Sequence, residues 1–131
     1  MIAVDTNVVV RLLVEDEPEQ AQQARQLFAT EEVFVADTVV LETAWVLGYG
    51  YGLEQAAIVA ALRRLFGLPN VHLRDAAAVV LALEWHSAGL DFADAFHLAQ
   101  VAHCSRLVTF DRWFVARARG ISGPEVALLE E

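Results

Sequence analysis

The chain alternates short β-branched apolar runs with stretches in which apolar residues recur every three or four positions. Ile2–Val4 is predicted as a buried strand and Asn7–Val14 as a short helix. Pro18–Phe28 is amphipathic, with Ala21, Ala24, Leu27 and Phe28 on one face. Val33–Ala36 reads as a second strand, followed by a helix from about Val39 to Leu47 that Gly48, Gly50 and Gly52 bring to an end. Glu54–Phe66 carries the cleanest stripe (Ala57, Ile58, Ala61, Leu62, Leu65) and stops at Gly67-Leu68-Pro69. Val71–Leu73 is a third strand and Asp75–His86 a helix closed by Gly89. Phe92–His103 follows as a helix, Leu107–Thr109 as a strand, and a last strand falls within Glu125–Leu129.

Strands spaced by helices predict a parallel sheet covered on both faces, a three-layer α/β/α domain. At 131 residues the chain suits one domain spanning 1–131. Its composition is 56% hydrophobic with a mean hydropathy of +0.41, enough for a large core and for apolar surface covered by a partner. No run of about 18 uncharged apolar residues occurs. Asp37 and Glu42 interrupt Val33–Tyr51, and Glu84 interrupts Asp75–Leu90. Asp5 breaks the apolar start with no basic leader before it, so no signal peptide is expected. The single cysteine, Cys104, has no internal partner, which fits a cytoplasmic protein.

In a doubly covered parallel sheet, ligands bind outside the carboxyl ends of the strands. The acids near those ends are therefore the candidates for chemistry. Asp5 follows the first strand, where Thr6 or Asn7 can cap the next helix; Asp5 can itself be that cap. Glu42 interrupts an apolar helical segment that Thr38 can cap, with a solvated helix face as its plain explanation. Asp91 and Asp94 sit three apart at one helix start, Asp91 as an expected N-cap and Asp94 inside an apolar helix. Asp111 follows a strand, with the Thr109 hydroxyl placed to orient a carboxylate or water. Clustered carboxylates repel unless a cation neutralises them, and hard oxygen donors without a Cys or His set select Mg²⁺ or Mn²⁺. Such ions suit phosphodiester hydrolysis by activating water and clamping the phosphate.

A net charge of −9 argues against a polyanionic substrate unless the acids are elsewhere or neutralised. Part of that charge lies in Glu15–Glu19, Glu31–Glu32 and Glu130–Glu131. The chain has no lysine. That absence disfavours phosphoacceptor receiver domains and haloacid-dehalogenase-type phosphatases, and P-loop nucleotide binding with them. No elbow motif surrounds a Ser or Cys nucleophile.

Asp5-Thr6-Asn7, Glu42 in its apolar helix, Asp91-Phe92-Ala93-Asp94-Ala95 and Thr109-Phe110-Asp111 resemble, in order and spacing, the PIN-domain ribonucleases. The closest likeness within that family is to the VapC-type toxins of type II toxin–antitoxin pairs, and it covers essentially the whole chain. The resemblance implies a central parallel sheet of about five strands and a metal-dependent endoribonuclease cutting single-stranded or looped RNA, tRNA or rRNA among them. It makes Asp5 and Asp94 the principal Mg²⁺ (or Mn²⁺) ligands and Glu42 and Asp111 ligands directly or through water. Asn7 and Thr109 support them from behind, and Asp91 is an auxiliary. A homodimer and a small inhibitory antitoxin protein are the implied partners. The alternative is a non-catalytic PIN-like module that binds RNA or protein, its acids serving as caps.

Arg11, Arg106, Arg112, Arg117 and Arg119 are the candidates for phosphate contacts. Trp113 and Phe114 can stack on a base, though packing is the simpler role. Trp45, Tyr49 and Tyr51 are equally explained by an antitoxin groove or by core packing. His97 lies three residues after Asp94 but lacks the matching His or Cys set of a metal site; His72, His86 and His103 are read as structural or solvated.

Overall fold

The computed structural model describes residues 1–130, which fall into two compact units, Met1–Ala76 and the residues from Ala77 onward. In the first unit, β1 (Ile2–Ala3), β2 (Val33–Phe34) and β3 (Val71–His72) form a parallel sheet in the order β1-β2-β3. Ile2 pairs with Val33, which pairs with Val71. The connections are helical: α1 (Thr6–Val14) and α2 (Pro18–Thr30) after β1, then α3 (Asp37–Trp45) and α4 (Gln55–Phe66) after β2. Val33 in β2 and Val35 just beyond it are fully buried on one face of the extended segment, while Phe34 between them is half-buried. Val9, Val40, Leu47 and Leu62 complete that core at 4% exposure or less. Asn70 locks the turn entering β2, its side-chain amide donating to the carbonyls of Phe28 (2.6 Å) and Glu31 (2.8 Å).

The second unit holds α5 (Ala76–Ser87, which begins on the last residue of the first unit), α6 (Phe92–Gln100), β4 (Arg106–Thr109), α7 (Arg112–Arg117) and β5 (Glu125–Leu128). Strands β4 and β5 are parallel, with Leu107 opposite Val126 and Thr109 opposite Leu128. Leu83, Leu90, Ala95 and Leu98 form its interior. His86 accepts the structural role read from sequence: its Nδ1 lies 2.7 Å from the Leu90 carbonyl and its ring meets Phe92 edge-on. Gly123 is dictated by packing, since a Cβ there would lie 2.8 Å from the Trp85 ring.

Five parallel strands are present, as expected, but they are hydrogen-bonded as a sheet of three and a sheet of two. Strands β1, β2 and β3 are shorter than their apolar runs, because ladder bonds stop where the chain turns toward a helix, whereas β4 begins one residue earlier than expected, at Arg106. Two helix ends differ from the sequence reading. The helix containing Glu42 begins at Asp37 and runs through a π turn over Val46–Gly50, so Gly48 does not end it. The Tyr51 amide reaches back five residues to the Val46 carbonyl (3.1 Å), and the left-handed turn waits for Gly52, at φ +67°. In α6 the helix ends at Gln100 rather than His103, beyond which the chain turns toward β4. Helix α7 was not foreseen, because six residues carry too little periodicity to register.

Candidate functional site

The four aspartates singled out in the sequence stand at helix starts, three of them as caps, whereas Glu42 lies inside α3. Asp5 caps α1 by accepting from the Val8 amide (3.2 Å), a role for which Thr6 and Asn7 are equally suited by residue type. Asp91 caps α6, accepting from the Asp94 amide (3.3 Å) as expected. Asp111 caps α7, one carboxylate oxygen accepting from the amides of Trp113 (2.9 Å) and Phe114 (3.2 Å). These bonds use one oxygen of each carboxylate. The other has no hydrogen-bond donor among the described residues.

In the first unit Thr6 is buried, and its hydroxyl donates to Oε1 of Glu42 at 2.5 Å. Glu42 itself is exposed. Thr6 thus holds Glu42 across 36 residues of sequence, a role invisible in the local pattern. The expected cap of α3, Thr38, does not cap it; Ala36 occupies the cap position and Asp37 pairs with Arg74 at 2.6 Å. Asp5 and Asn7 line a cavity of 390 Å³ between α1 and α2, with Val8, Arg11, Gln20 and Leu27 along its wall.

In the second unit Asp91, Asp94 and Asp111 line one cavity of 450 Å³ together with Trp113, Phe114 and Arg117. Asp94 is the electrostatically strained member. Burial raises its carboxyl above the ordinary value of 3.8, and the charges of Asp91 and Asp111 raise it further; His97 and Arg117 oppose the shift. Its side chain accepts no hydrogen bond among the described residues. Thr109 acts one step removed: its Oγ1 accepts from the Asp111 amide (3.0 Å), fixing the turn that presents the aspartate rather than touching the carboxylate. His97 is exposed beside this group and brings no second His or Cys with it.

The donors fit a hard divalent cation in chemistry: only carboxylate oxygens are offered, several lack protein partners, and mutual repulsion raises Asp94. Among the described residues, no three His, Cys, Asp or Glu side chains converge closely enough to form a preformed metal cage.

Of the arginines weighed for phosphate, Arg11 is already engaged. It bonds Asp16, Gln20 and Tyr51, and the Tyr51 hydroxyl, foremost, holds its guanidinium pKa above the usual range. The two aromatics after Asp111 divide sharply. Phe114 is 5% exposed and packs inward, whereas Trp113 is 73% exposed, against the packing role favoured from sequence. Trp45 and Tyr49 are also outside the core and stack on each other at 5.6 Å, while the Tyr51 hydroxyl donates to Asp16 at 2.8 Å. No helix among the described residues is long and apolar enough to cross a membrane.

The PIN domain model matches residues 2–120 of the chain. No curated protein matches it significantly. Among solved structures the chain is similar to the sarcin–ricin-loop-cleaving toxin VapC20 of Mycobacterium tuberculosis, at 26% identity over 92% of this chain and 96% of that one, with a TM-score of 0.43. The family model takes in both strand groups down to β4 and every acid described above, and PIN domains have the α/β/α architecture expected from the strand–helix alternation. The chain belongs to the PIN-domain family.

Proposed function

We propose that the chain is a Mg²⁺- or Mn²⁺-dependent endoribonuclease, folded as one domain, and the toxin component of a toxin–antitoxin pair. The observation that carries this reading is Asp94: a half-buried carboxylate on an open cavity, destabilised by burial and by two neighbouring aspartates. A divalent cation offsets that destabilisation by neutralising the charge, and it also eases the approach of a polyanion to so acidic a chain. Membership of the PIN family and the ordered acid motifs support the same reading. In it, Asp5 and Asp94 are the principal ligands, with Glu42 and Asp111 binding directly or through water. When bound, the cation supplies Lewis acidity toward the scissile phosphate and the attacking water. The chain's own part is positioning. Thr6 restrains Glu42, Thr109 fixes the turn at Asp111, and the helix caps hold one oxygen of Asp5 and of Asp111 while leaving the other available.

The motif set also supports RNA as substrate, a small inhibitory antitoxin, homodimerisation and a cytoplasmic location. The test is cleavage of total RNA by the purified protein in Mg²⁺ or Mn²⁺ against EDTA, beside Asp5→Asn and Asp94→Asn. Cleavage should vanish on chelation and in either variant. Activity that survives EDTA, or both substitutions together, refutes the mechanism. One observation favours the binding-module alternative: three of the acids already have a structural role as caps. RNA binding without turnover, and no calorimetric Mg²⁺ signal, would establish that alternative. The antitoxin is tested by whether a short reading frame adjoins the gene and its product abolishes cleavage.

A further inference from the structure

We propose that Trp113 and Arg117 form a nucleotide clamp beside the second-unit acids, the indole stacking on an unpaired base and the guanidinium taking the adjoining phosphate. This rests on the ribonuclease reading above and names how that site grips single-stranded RNA.

Trp113 is the largest apolar side chain type and is 73% exposed, while its neighbour Phe114 is buried. At that exposure much of the indole surface is open to solvent and available for stacking. The Arg117 guanidinium lies 5.6 Å from the Trp113 ring centroid, one turn along α7, so the two are held as a pair. Both line the 450 Å³ cavity that Asp94 and Asp111 also line, which puts a stacking surface and a cation beside the proposed chemistry. Arg117 is also unspent. Arg11, Arg25 and Arg74 are paired with Asp16, Glu15 and Asp37, whereas Arg117 has no carboxylate within ion-pair distance among the described residues.

The physics favours this division of labour in a chain of net charge −9. Counterion release supplies limited affinity in a chain with 9 cationic side chains against 18 carboxylates. Stacking on an aromatic face is independent of charge and tolerates any base. It also requires that the base be unpaired, which selects single strands and loops over duplexes.

The experiment is metal-free binding of a short fluorescein-labelled single-stranded RNA to the full chain in EDTA, followed by anisotropy over a salt series. Variants are Trp113→Ala, Trp113→Phe, Arg117→Gln and, as an equally exposed aromatic that does not line the cavity, Tyr49→Ala. Trp113→Ala should weaken binding about 5- to 150-fold at every salt concentration, leaving the salt slope unchanged. Trp113→Phe should recover most of that loss. Arg117→Gln should reduce the slope of log affinity against log salt by about one. Tyr49→Ala should bind as the native chain, and duplex RNA should be indifferent to Trp113.

Equal binding by Trp113→Ala and the native chain overturns the clamp even if metal-dependent cleavage is intact. Single-strand binding that depends on Trp113 sustains the clamp even if no cleavage is found, in which case only the nuclease reading falls. Loss of dimer on sedimentation of Trp113→Ala, with RNA affinity unchanged, makes the indole a self-association surface and overturns the clamp. No binding by the native chain overturns it as well.

Discussion

Replacing Thr6 by valine tests whether Glu42 is held by the protein or merely solvated. Thr6 is 7% exposed, and its hydroxyl donates to the Glu42 carboxylate at 2.5 Å. A hydrogen bond to an ionised partner is worth about 1.5–3 kcal/mol. Glu42 is exposed, so water replaces the lost hydroxyl there, and valine fills the threonine volume without orphaning a buried group. The expected destabilisation is therefore lower, about 0.5–1.5 kcal/mol. Thr6→Ser, which keeps the donor, should retain most of it. The two variants should unfold in urea with unchanged slope and a shifted midpoint. On the proposed role of Glu42 as a metal ligand, freeing its rotamers should cost about 10–100-fold in metal affinity or activity. A Mg²⁺ titration of RNA cleavage should therefore fall much further than stability does. A cycle of Thr6→Val, Glu42→Ala and the double variant isolates the pair. Coupling within about 0.3 kcal/mol of zero, or normal cleavage by Thr6→Val, refutes the positioning role.

Asp94 links stability to pH. Because burial, then Asp91 and Asp111, raise its carboxyl above 3.8, the native state binds this proton more readily than the unfolded chain does. The charged form therefore carries a penalty at neutral pH that disappears as pH falls through the raised value. Asp94→Asn should be more stable than the native chain at pH 7 in metal-free buffer, with the difference shrinking in acid; a difference independent of pH would contradict the assignment. Asn70→Ala removes two donated bonds at the start of β2 and should cost about 1–3 kcal/mol in urea unfolding, with Asn70→Asp worse because an acceptor would face two carbonyls. Gly123→Ala should cost about 1–3 kcal/mol by driving a methyl group into Trp85, measured as a lowered Tm, and a neutral result would show that the indole can move aside.

Much of the architecture was legible in periodicity. Of the predicted stripe, Ile58, Leu62 and Leu65 lie inside while Ala57 is exposed and Ala61 half-buried, and every expected strand is present because β-branched runs between helices have few alternatives. Local chemistry was legible too: Asp91 was expected as a cap and is one. The glycines near Tyr49 misled, because a π turn needs no left-handed residue until Gly52. Helix α7 escaped for want of length, although Asp111 before Arg112-Trp113-Phe114 is its cap signal.

What sequence by itself determined was the strand–helix order, the family and the candidate acids, since these depend on residue types at short spacings. Only tertiary structure decided how those acids are held. Thr6 reaches Glu42 across 36 residues, a bond that no local spacing encodes. Burial and like charge raise Asp94, which depends on neighbours brought in by the fold. The adjacent Trp113 and Phe114, alike as letters, part company because α7 turns one toward the core and the other toward solvent. Side-chain direction on a short helix is set by what the helix packs against, and that information lies outside the segment itself.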